Sequence, residues 1–519
     1  VTNFGSAGAT VNHNLGSVPG MIIVKCTDTG STNWKVYHRG LNGGTNPEQY
    51  EIELNQTGAQ ADTANSWNDT APTSTQFTLG ASGDVNNGSR SYIAYLFAHN
   101  NNDGGFGPDS EDIIKCGYYT GNNSTTGPIV DLGFEPQWLL IRHTENNGNS
   151  WHIFDNMRGV VTGGSDAFLA PNSNGDEQTA ADKIEFNSTG FQLKRADGDV
   201  NGNGTKYIYM AIRRGGMSTP TVASDVFHAE AGSNSSDFTY NAGFPVDMMI
   251  YKERTTINTG WGFTWDRLRG SNYLRTNDTN AETAYTSGGN PVGFDEMTFV
   301  NVVGQTTNDK AIWNWKRAPS YFDVVAYTGT GSARTVSHNL GVVPEMMWIK
   351  CRSNADNWVV FHKDVGATKI LQLNNDIAQT TTSTRFNDTA PTSSVFTVGT
   401  DNEVNGSSRT YIAYLFATVA GVSKVGSVSH TGGSATNVDC GFTNGAKFII
   451  LKRYDASSNW WVFDSVRGIA SGNDARLILD NTNAETSIDQ IDPLSSGFTI
   501  DGNRATGDYI FYAVANDPS

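Results

Sequence analysis

The sequence predicts an all-β protein built as a tandem array of about five β-sandwich domains. Three observations lead to this prediction. One strand-like motif recurs five times, the runs between turns are short and rich in Val, Ile, Tyr, Phe and Trp, and no useful length has helical periodicity. About 100 residues with roughly seven or eight such strands suit a two-sheet sandwich with hairpin or Greek-key connections.

The recurring motif ends each unit and is called the closing strand below. It reads YIAYLFA at 92–98 and again at 411–417, YIYMAIR at 207–213 and YIFYAVA at 509–515, with AIWNWKR at 311–317 as a weaker form. Its alternating side chains predict one face against a core and the other toward solvent or a second sheet.

The first half of each unit also repeats. HNLGSVPGMIIVKC (13–26) returns as HNLGVVPEMMWIKC (338–351), and LGFEPQWLLIR (132–142), AGFPVDMMIYK (242–252) and CGFTNGAKFIILK (440–452) are looser copies. Each copy is a glycine-containing turn followed by an apolar strand that carries Lys or Arg at its end. A tryptophan strand follows in every unit, and it begins with Trp34, Trp151, Trp261, Trp358 or Trp460. We interpret these five tryptophans as core residues.

These motifs divide the chain into five repeats of two subtypes. The predicted domains are 1–98 (type A), 110–215 (type B), 219–318 (type B), 320–418 (type A) and 421–519 (type B). Type A repeats share HNLG, NDTAPTS and a His at the end of the tryptophan strand, whereas type B repeats share FDNMRG, WDRLRG or FDSVRG. The order A-B-B-A-B indicates duplication of a larger block. We expect each repeat to bury its own core, so that the array resembles beads joined by short links.

Repeat 4 begins with FDVVAYTG (322–329), and repeat 1 lacks most of the corresponding strand. We therefore expect that the first strand of repeat 1 is missing, that the chain begins inside a domain and that the parent polypeptide is longer.

Composition excludes some classes of function. The net charge of −17 argues against a nucleic-acid partner, because phosphate binding needs clustered Lys and Arg. No apolar run approaches the roughly 20 residues that span a bilayer, so no membrane partner is predicted. The four cysteines are too few for a disulfide framework, and we expect them to be small buried side chains.

The histidines are the first candidates for catalysis, but they do not form a catalytic pattern. His38 and His362 are equivalent, and type B repeats carry Asp in their place. His13 and His338 lie in a turn beside Asn and Gly. Nucleophile–base arrangements such as G-x-S-x-G or HExxH do not occur in the sequence, so we predict that the protein is not an enzyme.

A D-x-x-R-G pattern recurs in the type B repeats and involves Asp155 and Arg158, Asp266 and Arg269, and Asp464 and Arg467. At this spacing the Asp can accept backbone N–H groups of a turn while the Arg folds back onto it. We interpret the pairs as structural turn locks, with a ligand-binding pair as the alternative.

One acidic hairpin resembles the start of a calcium loop. Asp197, Asp199 and Asn201 precede Gly202, but Ile208 stands where the loop needs a bidentate Glu. Asn-Gly and Asp-Gly are also strong hairpin-turn pairs. We predict a tight turn and no cofactor, with a weak calcium site as the alternative.

Two tryptophans depart from the common pattern. Trp313 and Trp461 are therefore the candidates for exposed aromatic rings that stack on sugars. Paired carboxylates for glycoside hydrolysis cannot be singled out among the 52 acidic residues.

The combination of HNLGxVPxMxxxK, a W-x-V-[YF]-H strand, NDTAPTS and a terminal YIAYLFA resembles an uncharacterised repeat module of bacteriophage tail-fibre and virion-surface proteins, especially those of marine and cyanobacterial phages. The resemblance covers the whole chain and is weakest in repeat 3. It implies a jelly-roll or a concanavalin- or laminin-G-like sandwich on the outside of a virion, and it carries over no catalytic residue.

We therefore expect a structural and adhesive virion protein, part of a tail fibre, capsid fibre or decoration. Its expected partners are other virion proteins and host-surface glycans, with a homo-oligomer compatible with a fibre. The alternatives are a secreted or cell-surface carbohydrate-binding adhesin of a bacterium and, with less support, a polysaccharide depolymerase.

Overall fold

A computed structural model describes residues 5–100, 113–179, 181–214, 218–232, 237–255, 262–284, 299–303 and 309–517. The chain forms two compact units, residues 1–216 and 217–519. Unit 1 holds repeats 1 and 2, and unit 2 holds repeats 3, 4 and 5. Trp261 and part of the link between the units lie outside the described residues.

Unit 1 is almost entirely β-structure. Repeat 1 contains β1 (Ala9–Asn12), β2 (Pro19–Cys26), β3 (Lys35–His38), β4 (Tyr50–Glu53), β5 (Ala61–Asp62), the short helix α1 (Ala64–Trp67), β6 (Gln76–Leu79) and β7 (Tyr92–Ala98). Repeat 2 contains β8 (Ile114–Thr120), β9 (Ile129–Asp131), β10 (Pro136–His143), β11 (Trp151–Asp155), β12 (Ala167–Leu169), β13 (Gln178–Thr179), β14 (Ile184–Asn187), β15 (Gly190–Leu193) and β16 (Lys206–Arg213).

Unit 2 contains three repeats with similar sets of strands. Repeat 3 contains β17 (Phe227–Gly232), β18 (Asp237–Asn241), β19 (Met248–Glu253), β20 (Gly262–Asp266), β21 (Asn272–Arg275), β22 (Thr283–Ala284), β23 (Phe299–Val303) and β24 (Lys310–Trp315). Repeat 4 contains β25 (Phe322–Thr328), β26 (Arg334–Ser337), β27 (Met346–Cys351), β28 (Val359–His362), β29 (Lys369–Gln372), β30 (Thr380–Thr381), β31 (Val395–Val398), the short helix α2 (Asn402–Asn405) and β32 (Thr410–Phe416). Repeat 5 contains β33 (Ser423–His430), β34 (Thr436–Asp439), β35 (Ala446–Arg453), β36 (Trp460–Asp464), β37 (Asp474–Ile478), β38 (Thr486–Ile488), β39 (Ile491–Leu494), β40 (Gly497–Ile500) and β41 (Gly507–Ala515). Short 3-10 turns lie at Leu41–Gly44, Pro47–Gln49 and Ala223–Asp225.

Each repeat is a sandwich of one large and one small antiparallel sheet, so the predicted all-β tandem array is confirmed. In repeat 4 the large sheet has the order β25-β32-β27-β28-β29-β30, and β26 pairs with β31 in the small sheet. Repeats 2, 3 and 5 have the same order, in which the closing strand lies between an opening strand (β8, β17, β25 or β33) and the apolar strand.

Repeat 1 differs at one edge of its large sheet. The order is β5-β4-β3-β2-β7, so its closing strand β7 pairs with β2 on one side only. Among the described residues, no opening strand covers the other side of β7.

The HNLG segment forms a turn in both type A repeats. Gly16 and Gly341 each have a φ of 78°, which an L side chain rarely adopts. The imidazole Nδ1 of His13 accepts the backbone N–H of Leu15 at 3.2 Å, and His338 accepts that of Leu340 at 3.3 Å. Both histidines therefore occupy turn positions.

The apolar strands are buried on both faces, which explains their continuous apolar sequence. In β27, Met347, Ile349 and Cys351 pack into the core of repeat 4 itself. Met346 and Trp348, which point to the opposite face, belong to a second cluster that also contains residues of repeats 3 and 5. The large sheet therefore has a small sheet on one face and neighbouring repeats on the other.

This second cluster changes the architecture that the sequence predicts. The repeats are sandwiches in tandem, but they are not separate beads, because repeats 3, 4 and 5 share one apolar core. Unit 1 has an equivalent shared core in which Met21 and Ile23 of repeat 1 pack with Leu140 and Met210 of repeat 2. All four cysteines are buried free thiols, as predicted.

Candidate functional site

The D-x-x-R-G pairs fix the turn after the tryptophan strand in each type B repeat. Asp155 accepts the backbone N–H of Arg158 at 2.8 Å, and its carboxylate lies 2.6 Å from the Arg158 guanidinium. Arg269 binds Asp266 through both its backbone N–H and its side chain. Arg467 donates to Asp464 from its backbone N–H at 2.9 Å and from Nε at 2.6 Å.

Two of these aspartates also bind a neighbouring repeat. The hydroxyl of Tyr414 in repeat 4 donates to Asp266 Oδ2 in repeat 3 at 2.6 Å. The indole Nε1 of Trp313 in repeat 3 donates to Asp464 Oδ2 in repeat 5 at 2.9 Å. The turn lock is thus part of the contact between repeats.

The expected exposure of Trp313 is wrong. Its side chain is fully buried at 0% exposure, because its strand packs into the core that repeats 3, 4 and 5 share. Trp313 occupies the position that Tyr414 has in repeat 4, since both lie opposite the apolar strand at equivalent registers.

The histidine that ends the tryptophan strand in type A repeats forms a contact with another repeat, as the aspartates at the same position do in the type B repeats 3 and 5. His38 Nε2 lies 2.9 Å from the carbonyl oxygen of Tyr209 in repeat 2, and Nδ1 accepts the N–H of Gly40 at 3.0 Å. Burial lowers the pKa of His38 to about 3, so the ring is neutral and donates from Nε2. This histidine is a link between repeats.

Three equivalent backbone hydrogen bonds join repeats 3, 4 and 5 into a closed ring. Each runs from the residue before the last strand of one large sheet to the carbonyl at the end of the apolar strand of another repeat. The pairs are Glu282 to Arg352 at 2.7 Å, Gln379 to Tyr454 at 2.9 Å and Glu485 to Arg254 at 2.8 Å. Every repeat therefore has two different contact faces, and the third contact returns to the first repeat. The face with the end of the apolar strand is called the donor face below, because its lysine and tryptophan side chains donate to the neighbouring repeat, and the face with the edge-strand N–H is called the acceptor face.

A lysine at the end of each apolar strand of unit 2 contributes a second set of contacts. The three Nζ atoms donate to loop carbonyls of the neighbouring repeat, in the pairs Lys252 to Asn481 at 2.5 Å, Lys350 to Thr279 at 3.3 Å and Lys452 to Asp376 at 3.0 Å. Burial lowers the pKa of each of these lysines to about 8. The sequence signal was a cation inside an apolar run, and its role in the interface was not predicted.

The tryptophan strands add indole contacts between repeats. Trp358 Nε1 donates to the Arg275 carbonyl at 2.8 Å, and Trp460 Nε1 donates to the Gln372 carbonyl at 2.8 Å. Both indoles are buried. These residues are core residues of the interface between repeats.

Two glutamates each hold arginines from two repeats. Glu485 accepts from Arg254 of repeat 3 at 2.6 Å and from Arg467 of its own repeat at 2.8 Å. Burial acts to raise the pKa of Glu485, but the hydrogen bonds from both arginines outweigh it, so the pKa lies below its usual value. Glu282 is bound in the same way by Arg352 of repeat 4, and the Arg269 guanidinium lies 3.6 Å away.

The interface within unit 1 is equivalent to those within unit 2. Gln60 N–H donates to the Thr144 carbonyl at 2.8 Å, and Arg142 donates to the Gly58 carbonyl at 2.6 Å. Trp151 Nε1 donates to the Glu53 carbonyl at 2.9 Å. Repeat 2 therefore presents its donor face to the acceptor face of repeat 1.

The candidate calcium ligands Asp197, Asp199 and Asn201 already have partners within the protein. The Lys183 ammonium lies 3.0 Å from Asp197 and 3.1 Å from Asp199, so it already neutralises both carboxylates. Asn201 is fully buried, and its side-chain oxygen accepts the N–H of Asn122 at 2.9 Å. The segment is a tight turn held by a buried amide.

Trp461 was predicted to be exposed and is half-buried. The guanidinium of Arg504 lies 3.9 Å from the centroid of its ring, and that of Arg476 lies 5.9 Å away. Because these cations cover the ring, Trp461 does not form an open platform for a sugar.

One acidic cluster lies in repeat 5. The carboxylates of Asp489, Asp492 and Asp501 have oxygens within 4.8 Å of one another. In the described part of the chain, this is the one group of potential metal-ligating side chains that lie so close together. Acidic groups of this kind are common without a metal.

The chain belongs to a family described as a domain of unknown function, DUF7483, which matches residues 1–214 and 223–518. The first match holds repeats 1 and 2, and the second holds repeats 3, 4 and 5. No curated protein matches the chain. In the described residues, no helix combines the length and the apolar character that crossing a bilayer requires.

Proposed function

We propose that the chain is a structural and adhesive component of a virion surface, in a tail fibre, a capsid fibre or a decoration. The observation that supports this proposal is the closed ring of unit 2, in which three sandwiches share one core and many matched contacts. Most of these interactions hold the repeats of a unit together, so the surface loops of that unit keep fixed positions relative to one another.

A fixed body favours attachment through several weak contacts. When one loop binds a surface, the other loops of the same unit stay at a short and constant distance from it. The effective concentration for the second contact is then high, and avidity rises without any strong single site. Host-surface glycans are the proposed target of these contacts.

The test of location uses particles produced by the organism that encodes the chain. Gradient-purified particles are analysed by mass spectrometry and by immunogold electron microscopy with an antibody against unit 2. We expect the chain in fixed stoichiometry with capsid or tail proteins and gold label on the particle surface. Label confined to bacterial cells or culture medium would reject the virion assignment and favour a bacterial adhesin.

The test of adhesion uses the recombinant chain as a competitor of particle adsorption. We expect a biotinylated chain on tetrameric streptavidin to inhibit adsorption at a lower chain concentration than the monomer, because avidity depends on the number of linked units. Streptavidin alone is the control. Equal failure of both forms to compete would reject attachment, and a loss of viscosity in a host polysaccharide solution would favour a depolymerase.

A further inference from the structure

We propose that unit 1 binds a third β-sandwich repeat of type B, in the position that repeat 3 has in unit 2, and that this repeat closes unit 1 into a ring. In unit 2 a type B, a type A and a type B repeat form three head-to-tail contacts. In unit 1 a type A and a type B repeat form one such contact, which leaves one donor face and one acceptor face uncovered.

The uncovered donor face belongs to repeat 1. Ile93 is 40% exposed and Tyr95 is 43% exposed, whereas the equivalent Ile412 and Tyr414 of repeat 4 are both 0% exposed. An apolar pair of this kind on a packed sheet marks a surface that another element covers.

Other donor groups of repeat 1 show the same difference. Lys25 donates to the Thr32 carbonyl within its own repeat, whereas every equivalent cation donates to another repeat. Trp34 is half-buried, whereas Trp151, Trp358 and Trp460 are buried and donate across an interface.

The uncovered acceptor face belongs to repeat 2. The side chain of Glu177 is 43% exposed and lies 3.8 Å from Arg158, whereas the equivalent Glu485 is 16% exposed and also binds Arg254 of another repeat. The side chain of Asp155 is 19% exposed, whereas the equivalent Asp464 is 1% exposed. The whole segment 173–179 is exposed.

The unused groups identify the subtype of the missing partner. Tyr95 corresponds to Tyr414, whose hydroxyl donates to Asp266, and this aspartate is present only in type B repeats. Asp155 lacks the donor from another repeat that Trp313 gives to Asp464, and Glu177 lacks the second guanidinium that Arg254 gives to Glu485. Repeat 3 carries Asp266, Trp313 and Arg254 together, so a repeat like repeat 3 satisfies both open faces at once.

The order of the repeats sets where this partner is attached. In unit 2 the type B repeat in this position precedes the type A repeat, and the opening strand of repeat 4 follows directly from it. The third repeat therefore joins repeat 1 through an added opening strand, as repeat 3 joins repeat 4. The turn that follows such a strand has the same geometry in both type A repeats, because Gly5 N–H donates to Asn86 as Thr330 N–H donates to Asn405, both at 2.9 Å.

The test compares three versions of the full chain. The first is unaltered, the second has residues 320–329 joined directly before Gly5, and the third has residues 218–329 joined there. The second version adds only an opening strand, and the third adds repeat 3 as well. Hydrogen exchange followed by mass spectrometry reads the segment 173–179, which lies on the acceptor face of repeat 2, whereas the added opening strand joins repeat 1.

We expect exchange in segment 173–179 to slow at least about tenfold in the third version and to stay unchanged in the second. Arg254→Glu in the added copy should reverse part of this protection, because it places two acidic groups opposite each other at Glu177. Unchanged exchange in a third version whose added closing strand is itself protected would overturn the proposal.

A second measurement does not depend on folding of the added repeat. In the unaltered chain, a thiol at Tyr95→Cys should react with a maleimide at least about tenfold faster than a thiol at Tyr414→Cys, because Tyr95 is 43% exposed and Tyr414 is 0% exposed. The four native thiols are buried, so they give a low background. Equal protection of both introduced thiols would show that the donor face of repeat 1 is already covered, and it would overturn the proposal.

Discussion

Substitution of Glu485 by Gln weakens a contact between two repeats, and its effect can be compared with that of the same substitution at the equivalent Glu177, which no second repeat covers in the described part of the chain. Glu485 accepts from Arg254 at 3.0 and 2.6 Å and from Arg467 at 2.8 Å. A hydrogen bond to a charged group contributes about 1.5–3 kcal/mol, and the amide retains part of this geometry, so we expect E485Q to destabilise unit 2 by about 2 kcal/mol. The matched control is E177Q in the open face of unit 1, where partial exposure should limit the loss to about 0.5 kcal/mol or less.

Hydrogen exchange of the intact chain provides the assay, because peptides from the two units report on each unit separately. A loss of about 2 kcal/mol corresponds to roughly 30-fold faster exchange of the most protected amides of unit 2. The pKa of Glu485 is lowered in the folded state, so its stabilisation is fully present above the unfolded value of 4.5 and is lost as the pH falls through the folded value. The difference between E485Q and the unaltered chain should therefore shrink at pH 3. Equal effects of E485Q and E177Q would refute the ring interface as described.

Three further outcomes are expected. Burial lowers the pKa of Lys350 to about 8, so above pH 8 the folded state has lost a proton that the unfolded state still binds. The free energy of unfolding should therefore rise from pH 8 to 9.5, by up to about 1 kcal/mol per pH unit for each such lysine. Lys350→Met should reduce this slope in urea titrations. Tyr414→Phe should destabilise unit 2 by about 1–3 kcal/mol because it removes a buried donor to Asp266, whereas Tyr95→Phe should change the melting temperature of unit 1 by less than about 1 °C. Millimolar calcium should leave the melting temperature unchanged, because the Lys183 ammonium already binds Asp197 and Asp199; a rise that Asp197→Asn abolishes would contradict this.

The strand pattern and the repeats could be predicted from the sequence because they depend on local chemistry. Alternation, Asn-Gly turns and the D-x-x-R-G spacing act within a few residues, so a single repeat specifies them. The shared core could not be assigned in the same way. The run MMWIKC is apolar on both faces of its strand, which indicates burial on both sides, but the sequence does not say that other repeats cover the second face.

The wrong prediction of an exposed Trp313 has a physical origin. Trp313 departs from the common tryptophan pattern, which suggested exposure, whereas it corresponds to the buried Tyr414 of repeat 4. Asn201 likewise corresponds to Asn405, whose amide binds backbone groups of its own turn in the same way. Comparison between repeats would have predicted Trp313 as buried.

The head-to-tail geometry also restricts how the open faces of unit 1 can be satisfied. Each contact joins a donor face to a different acceptor face, and in unit 2 this step closes after three repeats. Two copies of unit 1 could complement each other's faces only in a ring of four repeats, which requires a different rotation at every contact. A single type B repeat instead completes both faces while each contact keeps the geometry that Gln60 and Thr144 already have. One repeat joined to unit 1 then forms two interfaces for one loss of orientational freedom, so it is favoured over association of separate chains.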